Sequence, residues 1–210
     1  IGSVRTKKLL DFFGDLSDAW RAERSALKEA GLPDKIIADF IKIRREIDLD
    51  KEWGHIKDLG ISVLVSIESE YPRLLRAITH PPPVLYIKGE IRREDIYSIA
   101  VVGTRRKTTY GKQATAELSS FLAANGITVV SGMARGIDTI AHQAALDGGG
   151  RTIAVFGSGI DVIYPTENRG LASQIERNGA LVSEFYPGTQ PEGVNFPPRN
   201  RIISGLSKAV

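Results

Sequence analysis

Four short apolar runs alternate with amphipathic segments in the second half of the chain. The runs cover residues 99–102, 127–130, 152–156 and 180–183. The segments between them, near 111–125, 137–147 and 167–178, have the length and spacing of helices. Unbroken apolar runs are typical of strands buried on both faces, and such strands joined by helices form a parallel sheet. The pattern therefore predicts an α/β, Rossmann-like parallel sheet with helices on both faces.

The first half of the chain has a different pattern. Apolar residues up to position 60, including Leu9, Leu10, Ile37 and Phe40, recur at helical spacing and predict four or five short helices. A stretch with strand candidates at 61–67 and 84–87 and three consecutive prolines follows. We therefore predict three parts: an all-helical domain at 1–60, linking strands and a Pro-rich segment at 61–97 that belong to an extended Rossmann domain, and a Rossmann-like domain at 98–210.

A loop rich in Gly, hydroxyl or Arg side chains follows each predicted strand of the Rossmann-like domain. Parallel strands present their carboxyl ends at one edge of a sheet, so the four loops should meet there. Glycines allow close approach of backbone N–H groups, helix N-termini add partial positive charge, and guanidinium groups match phosphate oxygens. A single such loop is explained by turn geometry alone, but four on one edge favour a phosphate ligand. The loops cover 103–111, 131–138, 157–165 and 184–201.

Known nucleotide-binding fingerprints do not fit these loops. The stretch from Gly157 starts as G-x-G but has Val162 where the third glycine belongs, and it follows the third strand rather than the first. The sequence also lacks the G-x-x-x-x-G-K-[ST] pattern of a P-loop. We therefore expect no nicotinamide or flavin cofactor.

Composition narrows the class of protein. The 210 residues are 42% hydrophobic and 25% charged, which is typical of a globular protein, and no apolar run is long enough to span a membrane. The absence of cysteine excludes thiol catalysis, and together with only three histidines it argues against a metal site. We expect a cytoplasmic protein without a metal. Because the chain starts at Ile1 without Met and ends as a strand would begin, we also expect it to be part of a longer protein.

The net charge of +3 comes from 28 basic and 25 acidic residues. The whole excess lies in residues 98–210, which contain 11 basic and 8 acidic residues. A charge of this size permits a polyanionic ligand without requiring one.

Three further features have two interpretations each. His142 follows Asp138 by one helical turn, so the two side chains can pair on one face of a helix. The pair could be a general base held by a carboxylate, or a local structural pair, which is the interpretation we favour. Glu184 could reach the loop edge or orient an arginine. Tyr164 and Phe196 could equally stack on bases or plug the junction of sheet and helix, whereas Tyr110 and Phe185 suit the plugging role.

Taken together, the loops resemble the DNA-processing protein A family (DprA, also called Smf). The similarity covers about residues 60–210, and the helical start is more loosely similar to the family's N-terminal SAM-like or helix-hairpin-helix-like domain. The matching stretches are Val102–Arg105 with Thr109–Gly111, Ser131–Asp138 with Ala141 and His142, Gly157–Pro165 with Asn168, and Phe196–Ser207.

The resemblance implies a non-enzymatic protein of natural transformation that binds single-stranded DNA, forms a homodimer and helps load RecA recombinase. Many members carry Lys where this chain has Thr166, so Arg169 is a possible substitute. By motif, the candidates for contact with the DNA backbone are Gly103, Thr104, Arg105, Ser131, Gly132, Arg135, Gly136, Arg199 and Arg201. The family's sheet continues beyond Val210, and some members add a winged-helix domain.

Two alternatives come from other classes of protein. One is a nucleotide-processing enzyme of the LOG-like phosphoribohydrolase type, although the Pro-Gly-Gly-x-Gly-Thr stretch of those enzymes is absent here. The other is an adaptor whose basic edge binds an acidic protein.

Overall fold

The computed structural model describes residues 2–210. Ile1, the first residue of the predicted helical domain, lies outside the described residues. The chain divides into two compact units, one up to Asp58 and one from Leu59 to Val210. Within residues 2–210, no helix is both long and apolar enough to cross a lipid bilayer.

The first unit is helical. Its apolar core contains Leu9, Ala19, Leu27 and Ile37, all nearly inaccessible to solvent. Arg44 donates hydrogen bonds to the carbonyl oxygens of Trp20 at 2.6 Å and of Ala22 at 2.8 Å, so the fourth helix closes the end of the second. The helices are α1 (Ser3–Phe13), α2 (Leu16–Arg21), α3 (Arg24–Glu29), α4 (Asp34–Glu46) and α5 (Leu49–Asp58).

The second unit is built on a six-stranded sheet in the order β1-β2-β6-β5-β4-β3. The four strands from β3 to β6 are parallel, whereas β2 pairs antiparallel with β6, and β1 pairs antiparallel with β2 at the edge of the sheet. The predicted α/β, Rossmann-like fold is confirmed, with a mixed rather than a purely parallel sheet. The strands are β1 (Ser62–Val65), β2 (Val84–Gly89), β3 (Ser98–Ala100), β4 (Thr128–Ser131), β5 (Thr152–Val155) and β6 (Gly179–Ser183).

Helices cover both faces of this sheet because successive strand residues point to opposite sides. Val130 and Ile153 face a core that includes Ile202 and Leu206, whereas Val129 faces the opposite core. Helices α6 and α10 lie on the first face and α7 and α8 on the second, with α9 packed beside α8. The helices are α6 (Arg73–Arg76), α7 (Thr109–Ala124), α8 (Ile137–Asp147), α9 (Arg169–Asn178) and α10 (Phe196–Leu206).

Helix α10 corrects the predicted loop after the fourth parallel strand. The sequence suggests a loop through Arg201, but the helix begins at Phe196, with Pro197 and Pro198 in its first turn. Proline is tolerated there because the first amides of a helix have no intrahelical acceptor. The helix buries Arg199 on the same face as Ile202 and Leu206.

A buried ion pair connects the segments at the amino ends of the parallel strands β3, β4 and β5. Arg151 donates two hydrogen bonds of 2.9 Å to Asp95, which also accepts from the Thr128 hydroxyl and the Arg92 amide. Burial raises the pKa of Asp95, but the hydrogen bonds from Arg151, Arg92 and Thr128 outweigh it and hold that pKa below its usual value. This cluster joins the segments that lead into β3, β4 and β5.

His142 is fully buried between α8 and the sheet. The Thr152 hydroxyl donates to the Val129 carbonyl at 2.7 Å, so the contact of 2.7 Å between His142 Nδ1 and Thr152 Oγ1 requires the imidazole to donate. Nε2 has no partner within the described residues. The predicted pair of His142 with Asp138 is wrong, because Asp138 instead accepts from the Gly132 and Ala134 amides.

Acid should therefore destabilise the protein through His142. Burial lowers the pKa of His142 from 6.5 to about 3, so below pH 6.5 the unfolded chain binds a proton that the folded chain excludes. Stability is lost as the pH falls from about 6.5 towards 3, by about 2 kcal/mol between pH 7 and 5. Urea unfolding at both pH values should show this loss in the wild type and a smaller loss in His142→Gln. Equal losses in the two proteins would contradict the assignment.

Candidate functional site

The loops after β3, β4 and β5 meet the start of α10 at the carboxyl edge of the sheet. Together they form a small cleft with a basic and aromatic lining. The residues that line it are Arg105, Gly132, Ala134, Arg135, Tyr164, Pro165 and Phe196. We call this surface the cleft. The predicted convergence of the loops is therefore observed for three of them, with α10 in place of the fourth.

Arg199 lies under the cleft, with 4% of its surface exposed. Its guanidinium donates to the carbonyl oxygens of Gly132, at 2.8 Å, and of Val155. Burial lowers the pKa of Arg199, and the nearby carboxylate of Asp138 opposes that effect. Burial also raises the pKa of Asp138, although the hydrogen bonds that it accepts from backbone amides lower that pKa. Arg199 therefore holds the ends of β4 and β5 together from below.

Two glycines allow the loops to approach this closely. A Cβ on Gly132 would lie 2.6 Å from the Arg199 guanidinium. Gly136 has φ +89°, and a Cβ there would collide with the carbonyl oxygens of Thr104 and Arg105. At Gly136 the loops after β3 and β4 touch through their backbones, whereas at Gly132 the side chains of Arg199 and Asp138 pack where a Cβ would lie. Gly103 lies at the same contact, where a Cβ would meet Ile137 at 2.7 Å.

Both hydroxyl groups predicted to contact DNA form hydrogen bonds within the loops, but only one of the two residues is exposed. Ser131 is fully buried, and its hydroxyl donates to the Val101 carbonyl at 2.6 Å. Thr104 is exposed, and its Oγ1 accepts from the Arg106 amide at 3.1 Å, which shapes a tight turn. Thr104 thus remains accessible to a ligand, whereas Ser131 faces the interior.

Asn168 is a further residue that shapes the cleft, and residue types alone did not single it out. Its buried amide donates to the Met133 carbonyl at 3.0 Å and to the Thr139 hydroxyl at 2.9 Å. Met133 has φ 60°, a conformation that is rare for residues other than glycine. The amide of Asn168 supports this bend and connects the loop after β5 with the loop after β4.

Several exposed cations lie in the loop after β3 and at the start of α7. The Arg105 guanidinium lies 5.7 Å from the centre of the Phe196 ring, and that ring lies 6.0 Å from Tyr164. Arg106, Lys107 and Lys112 are exposed nearby on the same loop and helix start, without an ion pair among the described residues. These three residues were not among the predicted DNA contacts, although Arg106 and Lys107 directly follow Arg105 in the sequence.

Arg201 is not among the residues that line the cleft. It forms a two-pronged ion pair with Glu184, at 2.6 and 2.7 Å, and donates to the His80 carbonyl at 2.9 Å. Glu184 therefore orients an arginine, which was one of its two predicted roles. The side chain of Arg201 is 26% exposed, and its donors already have acceptors.

The aromatic residues also divide into two groups. Phe196 is half-buried and Tyr164 is 39% exposed, and both line the cleft. Phe185 is half-buried, as expected of a plugging residue. Tyr110 was expected to plug the junction of sheet and helix, but it is 81% exposed at the start of α7.

Thr166 stands at the position after Pro165, where many family members were expected to carry Lys, so that position has no positive charge. Thr166 and Arg169 are both exposed at the start of the segment that leads into α9. In the described part of the chain, no group of three or more His, Asp or Glu side chains is placed to hold a metal ion.

The fold and the cleft define a Rossmann-like α/β protein with a basic and aromatic site at its strand ends. The model of the family "DNA recombination-mediator protein A" matches residues 62–210. The chain therefore belongs to this family, whose members include the proteins named DNA processing protein A (DprA) and Smf.

Relatives and solved structures agree with this assignment. Protein Smf of Synechocystis sp. is 41% identical over the whole chain, which spans 54% of that protein. DprA of Bacillus subtilis is 36% identical over 91% of the chain and 67% of its own length. The structure of DprA from Streptococcus pneumoniae matches 97% of this chain and 70% of that one, with 33% identity and a TM-score of 0.81.

A second solved structure, of DprA from Helicobacter pylori, concerns the single-stranded DNA binding mode of that protein. It is 36% identical and matches 70% of this chain and 66% of that one with a TM-score of 0.63. The chain spans about half the length of the Synechocystis relative.

Proposed function

We propose that this chain binds single-stranded DNA at the cleft without catalysing a reaction. The observation that carries the proposal is the convergence of Arg105, Tyr164 and Phe196 at the carboxyl edge of the sheet, where exposed cations lie beside aromatic faces. Guanidinium groups bind phosphates and aromatic rings stack on unpaired bases, which is the combination that single strands require. The binding mode studied in the Helicobacter pylori relative supports the same ligand.

Within the predicted set, the residues divide into two roles. Four residues that line the cleft are proposed DNA contacts: Arg105, Arg135, Tyr164 and Phe196. Thr104, which is exposed next to Arg105, is the fifth. The other members maintain the shape of the loops or, for Arg201, form an ion pair to one side: Gly103, Ser131, Gly132, Gly136, Arg199 and Arg201. We add Arg106, Lys107 and Lys112 as secondary contacts with the DNA backbone.

Arg105→Ala should weaken binding to single strands of any sequence. Each neutralised phosphate releases condensed counterions, so removing one contact should reduce the slope of log affinity against log salt by about 0.7. Titration of oligo-dT at several salt concentrations measures this slope, and a duplex competitor tests the preference for single strands. An unchanged slope in a folded variant would remove Arg105 from the interface.

The enzymatic alternative is tested separately. The family resemblance and the burial of His142, the general base considered from sequence, both support binding without turnover. Incubation of the chain with AMP followed by an assay for free adenine should give no product above a blank. Robust release of the base would overturn the proposal that the chain only binds.

We further propose the properties that the family resemblance implies for the whole protein. These are a cytoplasmic role in natural transformation, a homodimer, and help in loading RecA recombinase onto incoming strands. The name of the matching family, a recombination mediator, supports this role. Single-strand exchange assays with RecA and an SSB-coated strand would test it, with the Arg105→Ala protein as the variant impaired in binding.

A further inference from the structure

Arg135, one of the proposed DNA contacts, is already engaged by a carboxylate. Its Nε lies 2.5 Å and its second terminal nitrogen 3.0 Å from the two oxygens of Glu167. Glu167 raises the pKa of Arg135, and Tyr164 adds to that effect. This two-pronged geometry is the one that a phosphate group would adopt with the same guanidinium. Glu167 therefore occupies the position at which a DNA phosphate would bind.

Buried neighbours fix both partners of this ion pair. Asn168, next to Glu167, is 5% exposed and donates to Met133 and Thr139 in the loop after β4. On the other side, Arg135 lies between Met133, with φ 60°, and Gly136, with φ +89°, in a constrained bend. Exposed ion pairs are usually weak because two flexible side chains must be ordered. Here the fold fixes the backbone positions of both residues, so less conformational entropy is lost when the two side chains pair.

The pair is nevertheless accessible to solvent and to a competing anion. The side chain of Arg135 is 57% exposed and that of Glu167 is 52% exposed. Arg105, which also lines the cleft, has no carboxylate partner among residues 2–210. The two arginines of the cleft therefore differ, since one is available at once and the other only after its internal partner has been displaced.

We propose that Glu167 is an internal competitor that occupies Arg135 and limits the affinity of the cleft for single-stranded DNA. The inference rests on the proposed function of the cleft. A phosphate must displace the carboxylate to reach Arg135, so the wild-type chain gains less from this arginine than its position suggests. Removing the charge of Glu167 frees the guanidinium and also removes a negative charge beside the DNA path.

Glu167→Gln should therefore bind oligo-dT about two- to fivefold more tightly than the wild type at moderate salt. Its slope of log affinity against log salt should be steeper by up to about 0.7, because one more phosphate is neutralised. Glu176→Gln is the matched control, since it makes the same change in net charge at an exposed position near the other end of α9. The control should leave both quantities at the wild-type values.

A double variant distinguishes release of Arg135 from a general charge effect. In an Arg135→Ala background, Glu167→Gln should lose most of its gain, because no guanidinium remains to be freed. Equal gains with and without Arg135, or an affinity for Glu167→Gln no higher than for Glu176→Gln, would overturn the competitor role while leaving the DNA site intact. A folded wild-type chain that does not bind oligo-dT at all would instead remove the proposed function, and this inference with it.

Discussion

Gly136→Ala is expected to reduce affinity for single-stranded DNA at least tenfold and to destabilise the fold by about 2–4 kcal/mol. The residue has φ +89°, and a new Cβ would collide with the carbonyl oxygens of Thr104 and Arg105. Because both neighbours are backbone, no side chain can rotate away to make room. The two loops must separate, and Arg105 and Arg135 then lose their common orientation toward the cleft.

Gly126→Ala is the matched control for this prediction. Gly126 has φ +73°, but a Cβ there would meet nothing within 4 Å. That variant should lose only about 1 kcal/mol for the strained backbone and should retain wild-type affinity for oligo-dT. Urea unfolding and DNA titration of both variants make the comparison. Similar behaviour of the two would mean that the contact between the loops does not maintain the cleft.

Arg199→Met is expected to lower the free energy of unfolding by about 3–5 kcal/mol. The substitution fills similar space but removes the donors to the Gly132 and Val155 carbonyls and the cation near buried Asp138. Arg105→Met, on the surface, should change stability by less than about 0.5 kcal/mol.

Urea unfolding of the two arginine variants separates a structural arginine from a ligand-binding one. The expected pattern is a large loss of stability for Arg199→Met alone, whereas Arg105→Met loses DNA affinity without unfolding. If Arg199→Met kept wild-type stability, Arg199 would not be the anchor of the strand ends.

The strands were predictable because their signal is local. Runs such as 127–130 and 152–156 are apolar except for one threonine each, and burial on both faces of a central strand favours that pattern. The place of β1 and β2 in the sheet was not predictable. The antiparallel pairing of β2 with β6 depends on which strand edge remains free once the parallel strands are assembled, and no residue within 61–97 specifies that edge.

The location of the cleft was predictable, but the orientation and burial of its side chains were not. Glycines and arginines after the strands located it, since strand ends must share an edge. The direction of each side chain depends on tertiary packing, so Arg105 and Arg199 looked equivalent in sequence although one is exposed and the other buried. A helical signal was available for Arg199, because it shares a spacing of three, four and seven residues with Ile202, Ile203 and Leu206.

The contact between Arg199 and Gly132 joins positions 67 residues apart, which has a consequence for synthesis of the chain. A ribosome will have made every loop of the cleft before the arginine that fixes their spacing emerges. Until α10 docks, a nascent polypeptide carries the cations in sequence but not in their final arrangement. The spacing between the loops that line the cleft can therefore be set only after synthesis has reached Arg199.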